Sequence, residues 1–149
     1  MTIQDVFDRL RPIEKAAGKL IRDTGFDPDD GLSGKVRHLP DACEDAFLRD
    51  KAEGILGSLE DAIREICYLR KPLHGEHTLR KLPNGRYGYT GRGQAVREFT
   101  CGDCLEAKIR DRDGNFRWIT SSIEHDGLDY FLVGAMGAPL SGLTVRERW

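Results

Sequence analysis

The hydrophobic positions repeat in two different ways, and the change falls near Pro72. Before it, apolar residues recur every three or four positions. Ile3, Val6, Leu10, Ile13, Ala17 and Leu20 form one stripe, and Leu48, Ala52, Ile55, Leu59, Ala62, Ile66 and Leu69 form another, widened by Leu56 and Ile63. Such spacing places a row of apolar side chains on one side of a helix. It predicts helices over residues 2–23 and 41–70. Thr2 with Asp5 carries the chemistry of a helix start, Asp41 and Glu44 do the same for the second helix, and Pro72 ends it. Pro12 removes a backbone hydrogen bond within the first pattern and predicts a kink or restart near Arg11. Gly54 and Gly57 weaken the second helix by about 1 kcal/mol each relative to alanine. Close approach of a neighbouring backbone near Ala16, Ala17 and Gly18 is the return expected for them. Residues 24–39 are rich in Gly, Asp and Pro without period, a connection expected to be mobile and free to engage a partner.

Beyond His77 the period becomes two. Residues 78–82 and 86–89 flank Pro83-Asn84-Gly85, a turn sequence that tolerates positive φ, and so predict a hairpin. Short strands follow at 96–99, 105–110, 116–123, 129–133 and 143–148. In the second of these, Leu105, Ala107 and Ile109 alternate with Glu106, Lys108 and Arg110, one dry face and one wet. Phe116, Trp118 and Tyr130 are expected in the core. The fold class is α+β: an antiparallel two-helix hairpin over residues 1–72, then a small SH3-like antiparallel β-barrel or bent sheet over 73–149. The two apolar helix stripes either bury each other within the chain or join a second copy in a four-helix homodimer.

Within the β half, the segments Gly85-Arg86-Tyr87, Cys101-Gly102-Asp103-Cys104-Leu105-Glu106 and Trp118 with Ile123-Glu124 occur in that order. They are followed by Tyr130-Phe131-Leu132-Val133-Gly134 and Gly142-Leu143-Thr144-Val145-Arg146. Together they resemble a small bacterial family catalogued as domain of unknown function 5348, whose members occur on conjugative and phage-like mobile genetic elements. The resemblance covers the C-terminal half. It implies a compact β fold and a mobile-element setting, and it implies no reaction. Accessory proteins of such elements include inhibitors of host defence, CRISPR effectors among them.

Charge and composition narrow the function classes. The formal net charge is −2 and the pI near 6.1, which excludes a globally basic nucleic-acid binder but not a local basic face. Met1–Leu10 mixes acids and bases with its apolar residues and does not read as a signal peptide. No apolar run approaches a membrane span. The expectation is a cytoplasmic protein without membrane association, whose four cysteines are thiols or ligands rather than disulfides.

Three constellations carry candidate chemistry. Cys101 and Cys104 at CxxC spacing could supply half of a tetrahedral zinc site, with His74 and His77 as the other half. Free, partly buried thiols in a turn are the competing reading, and no cofactor is expected. Glu124-His125-Asp126 resembles an acid–base set but falls in a hairpin turn, where Asp and Gly serve the backbone. No nucleophile elbow or phosphate loop accompanies it, so no catalytic residue is assigned and the protein is expected not to be an enzyme. Arginine with aromatics is the third: Arg86 and Arg92 near the first hairpin, and Arg146 and Arg148 on the last strand together with Trp149 beside them, are the candidate binding residues. A non-enzymatic protein-binding module follows as the leading expectation, with nucleic acid as the alternative partner.

Overall fold

The computed structural model describes residues 1–91, 93 and 95–149. It divides into two compact units, Met1–Arg70 and Lys71–Trp149.

The first unit is a pair of packed helices, α1 (Ile3–Thr24) and α2 (Ala42–Arg70). Thr2 and Asp5 close a capping box at the start of α1, and Gly25 ends it at φ +62°. The helix passes through Pro12 without a break, so the expected restart does not occur. Capped ends and more than two turns of helix on either side of the proline hold the segment together. The glycines of α2 make no backbone contact with α1: a Cβ on Gly54 would meet nothing, and one on Gly57 would meet only the Phe26 ring at 3.9 Å.

The connection between the helices is tied onto α2, contrary to the expectation of a free loop. Glu53 accepts from the Leu32 amide at 2.9 Å, and Arg49 donates to the Val36 carbonyl at 2.7 Å. Asp45 accepts from the Leu39 amide at 2.8 Å and pairs with His38 and Arg49. The Leu39 amide and His38, with Arg49 adding to them, hold the Asp45 carboxyl down to about 2 against its burial.

Among the described residues the second unit holds two antiparallel sheets and no closed barrel, so the barrel form of the expectation is corrected. A five-stranded sheet runs in the order β1 (Leu73–Thr78), β8 (Thr144–Arg148), β5 (Cys104–Arg110), β6 (Phe116–His125), β7 (Tyr130–Leu132). A three-stranded sheet is built from β2 (Arg80–Lys81), β3 (Tyr87–Thr90) and β4 (Val96–Phe99). β1 was not legible as a strand, because its polar sequence lacks alternation and its pairing with β8 shifts register between His74 and His77. Leu79 is the crossing point between the sheets. It is fully buried, and its backbone bonds Leu143 and Gly142 at 2.9 Å each.

The sheets share one core. Leu79, Tyr87, Tyr89 and Phe99 come from the small sheet and its crossing, and Leu105, Ala107, Ile123, Leu132 and Val145 from the large one. Strand alternation then fixes what lies on the other face of the large sheet. With Leu105, Ala107, Ile119, Ile123 and Val145 inward, the outward row is Glu106, Lys108, Arg110, Phe116, Trp118, Thr120, Arg146 and Arg148.

Candidate functional site

On this outer face, register sets Glu106 between Arg146 of β8 and Thr120 of β6, Lys108 opposite Trp118, and Arg110 opposite Phe116. Cross-strand neighbours of this kind lie about 4.5–5.5 Å apart at Cβ, close enough for long side chains to lie over rings. They do. The Arg146 guanidinium carbon is 3.9 Å from the Trp118 ring centre, and Lys108 Nζ is 5.7 Å from Trp118 and 5.9 Å from Phe116. Arg110 covers Phe116 at 4.8 Å. Cation and ring alternate from Arg146 to Arg110 across three strands. Each such contact is worth roughly 0.5–1 kcal/mol at an exposed site.

Glu106 anchors one end of the row. Its side chain is buried beneath the two arginines, accepting from Arg146 Nε and from Arg148 Nε, the latter at 2.6 Å. Burial alone would raise its carboxyl; hydrogen bonds from Arg148 and Arg146 outweigh burial and hold it below the usual range. Arg148 also donates to the Lys71 carbonyl. The two arginines are therefore committed within the sheet, whereas Lys108 and Arg110 have no carboxylate at ion-pair distance among the described residues. Four cations stand against one buried carboxylate on this part of the face, in a chain whose net charge is −2.

Phe116 is 60% exposed, so the expectation that it belongs to the core is corrected; Trp118 is half-buried under Arg146. Tyr130 does pack against the core. The signal for Phe116 lay in phase: Ile119 and Ile123 share the opposite parity of the strand and take the inward positions. Lys108 and Arg110, which the sequence placed only on a wet strand face, are central to the row.

The remaining candidate residues lie elsewhere. Arg86 binds Glu98 at 2.5 Å, and Asn84 bonds the same carboxylate at 3.0 Å, so both serve the β2–β3 turn. Arg92 lies outside the described residues. Trp149 stacks on His74 with ring centres 4.0 Å apart and lines a cleft of about 700 Å³ together with Leu73, His77, Tyr89 and Val96. In that cleft His77 stacks on Tyr89 at 3.9 Å, and the Tyr89 hydroxyl donates to buried Glu147 at 2.8 Å. Arg97 Nη2 donates to the same carboxylate at 2.9 Å. Burial, then the bond to Glu147, pushes the Tyr89 hydroxyl above its usual range.

The zinc constellation is not assembled. His74 and His77 are engaged in ring stacks, while Cys101 and Cys104 are exposed thiols at a turn. Among the described residues no group of three or more His, Cys, Asp or Glu side chains is placed to hold a metal ion. The Cys-Gly-Asp-Cys segment serves the backbone. Gly102 takes φ +86°, and Asp103 accepts from the Thr100 amide at 2.7 Å. At the other conspicuous motif, Asp126 accepts from the amides of Leu128 and Asp129, and His125 packs edge-on against Tyr130.

Among the described residues no helix is long and apolar enough to cross a membrane. Residues 78–147 match the model of a family described as Domain of unknown function (DUF5348). That span holds Glu106, Lys108, Arg110, Phe116, Trp118 and Arg146, and leaves both helices outside it. No curated protein and no solved structure matches the chain.

Proposed function

We propose that the protein is a non-enzymatic binding module and that the outer face of the five-stranded sheet docks an acidic surface of a protein partner. The observation that carries this reading is the row Arg146–Trp118–Lys108–Phe116–Arg110, anchored at one end by Glu106. Aromatic rings and arginines concentrate binding energy at protein interfaces. Side chains already held against rings lose little further freedom on docking. Lys108 and Arg110, without carboxylate partners of their own among the described residues, are the groups a partner's acids would pair with. The resemblance to a family of mobile elements supports the further reading that the partner is a host protein, a defence effector such as a CRISPR nuclease included.

The helices contribute a second surface. Val6, Ile13 and Leu20 on α1 are exposed at seven-residue spacing, and Leu48, Ile55 and Leu69 on α2 at intervals of seven and fourteen, which suits a seam between two copies of the chain. Nucleic acid is the second reading for the sheet face. Phe116 and Trp118 stand two positions apart on one strand and are flanked by cations, as base-stacking surfaces are.

The test compares the wild-type protein with the Lys108→Ala/Arg110→Ala double variant as baits in native-host lysate. Circular dichroism serves as the control for folding. A protein retained by the first and lost with the second supports the reading; identical capture by both removes the sheet face from it. Salt-sensitive binding of a single-stranded oligonucleotide, abolished in the same variant, would put the nucleic-acid reading in its place.

A further inference from the structure

The backbone of β6 carries a second, directional feature beside its rings. Ile123 exchanges bonds with the Gly102–Asp103 side: its amide donates to the Asp103 carbonyl at 3.0 Å, and its carbonyl accepts from Gly102 at 2.9 Å. The Ser122 carbonyl accepts from Val133, on the opposite side. Successive residues of a strand point their amide and carbonyl to alternate edges, and the β5–β6 register runs without a bulge from Ser122 to Phe116. Hence Ile119 and Ser121 spend their backbone groups on β5, while Trp118 and Thr120 turn theirs to the other edge. β7 reaches only Ile123–His125, Val133 continues along the edge as far as the Ser121 hydroxyl, which donates to its carbonyl at 2.9 Å, and no strand of the described residues pairs with the edge from Phe116 to Thr120. This stretch spans about 14 Å of extended backbone.

An open edge of this length is a template for an added strand. Charge selects its occupant. Arg117 sits exposed on the edge strand itself, and Lys108 and Arg110 lean over its rings. Two copies pairing edge to edge would set these cations against each other, and a basic segment would fare no better. We propose that an extended acidic segment of a partner protein adds to β6 as a sixth strand, bonding the backbones of Trp118 and Thr120 and setting its carboxylates toward Lys108 and Arg110. This rests on the sheet-face reading above and gives it a direction along the chain.

The probe is a fluorescein-labelled seven-residue peptide alternating Glu and Val, with a Lys–Val peptide as control. Expected are saturable binding of the first only, and slowed hydrogen exchange at the Trp118 and Thr120 amides when it is bound. Thr120→Pro removes an outward-facing donor while sparing the β5 ladder, and it should weaken binding by about tenfold or more. The exchange measurement uses wild-type protein and stands even if this variant misfolds. Binding that leaves both amides unprotected and is untouched by Thr120→Pro overturns strand addition and leaves face docking in place. Binding lost in Thr120→Pro but indifferent to Lys108→Ala/Arg110→Ala removes the sheet face instead. No binding of the Glu–Val peptide at millimolar concentration, or equal binding of the Lys–Val peptide, overturns the acidic occupant. A dimer seen by light scattering and abolished by Thr120→Pro overturns it too, since a second copy would then hold the edge.

Discussion

At the scale of single residues, Glu106 shows how a charge can be structural and still govern a surface. It lies on the outward parity of β5, yet it is only 4% exposed because Arg146 and Arg148 close over it. Removing one partner of a buried ion pair costs more than the pair contributes, because the remaining charges lose their compensation. Glu106→Gln keeps the shape and takes away the charge. Fully buried pairs lose about 3–5 kcal/mol on such a change, and the partly solvated guanidinium groups here reduce the expectation to about 2 kcal/mol. Urea denaturation measures it. Quenching of Trp118 fluorescence by iodide should rise together with the destabilisation, since Arg146 would no longer be held over the ring. A loss below about 0.5 kcal/mol, within the range of ordinary surface changes, would show that Glu106 does not organise the face.

At the scale of elements, periodicity carried most of what the sequence disclosed, and contacts between distant segments carried the rest. α1 and α2 were legible because three–four spacing is a local signal. The strands β3 to β8 were legible through alternation and turn residues. What could not be read depends on partners far along the chain: the burial of Glu106 needs Arg146, forty residues on, and the strand character of β1 needs β8. Gly54 and Gly88 separate the two kinds of information. The sequence suggests a helix–helix contact at Gly54, but an added Cβ there meets open space, so Gly54→Ala should stabilise by about 0.5–1 kcal/mol through helix propensity alone. A Cβ at Gly88 would stand 2.3 Å from the Arg97 carbonyl oxygen and 3.1 Å from Leu82 Cδ1. Backbone cannot yield as a side-chain end does. Gly88→Ala should therefore cost about 2 kcal/mol or more by forcing β3 and β4 apart. Thermal melts of the two variants should move in opposite directions, and a shared sign would contradict this account of one of them.

At the scale of the whole molecule, the two units differ in how much apolar surface they bury for themselves. The β unit closes a core of ten buried residues around Phe99, whereas in the helical pair Ala17 and Leu56 are the only buried apolar residues among those described. Each helix keeps one stripe for its mate and turns another outward: Val6, Ile13 and Leu20 on α1, with Leu48, Ile55 and Leu69 on α2. Ile55 is 61% exposed. Soluble surfaces carry scattered apolar residues without consequence, but rows spaced by seven residues on α1 and by seven and fourteen on α2 have the geometry of an interhelical seam. Sedimentation velocity across the micromolar range should show concentration-dependent dimerisation. Ile13→Glu and Ile55→Glu should each hold the protein monomeric while leaving its helical circular dichroism intact, because both side chains are more than half exposed. A wild-type protein that stays monomeric throughout would assign these stripes to solvent. The sheet face would then have to act as a single copy, without the gain in avidity that a dimer presenting two such faces provides.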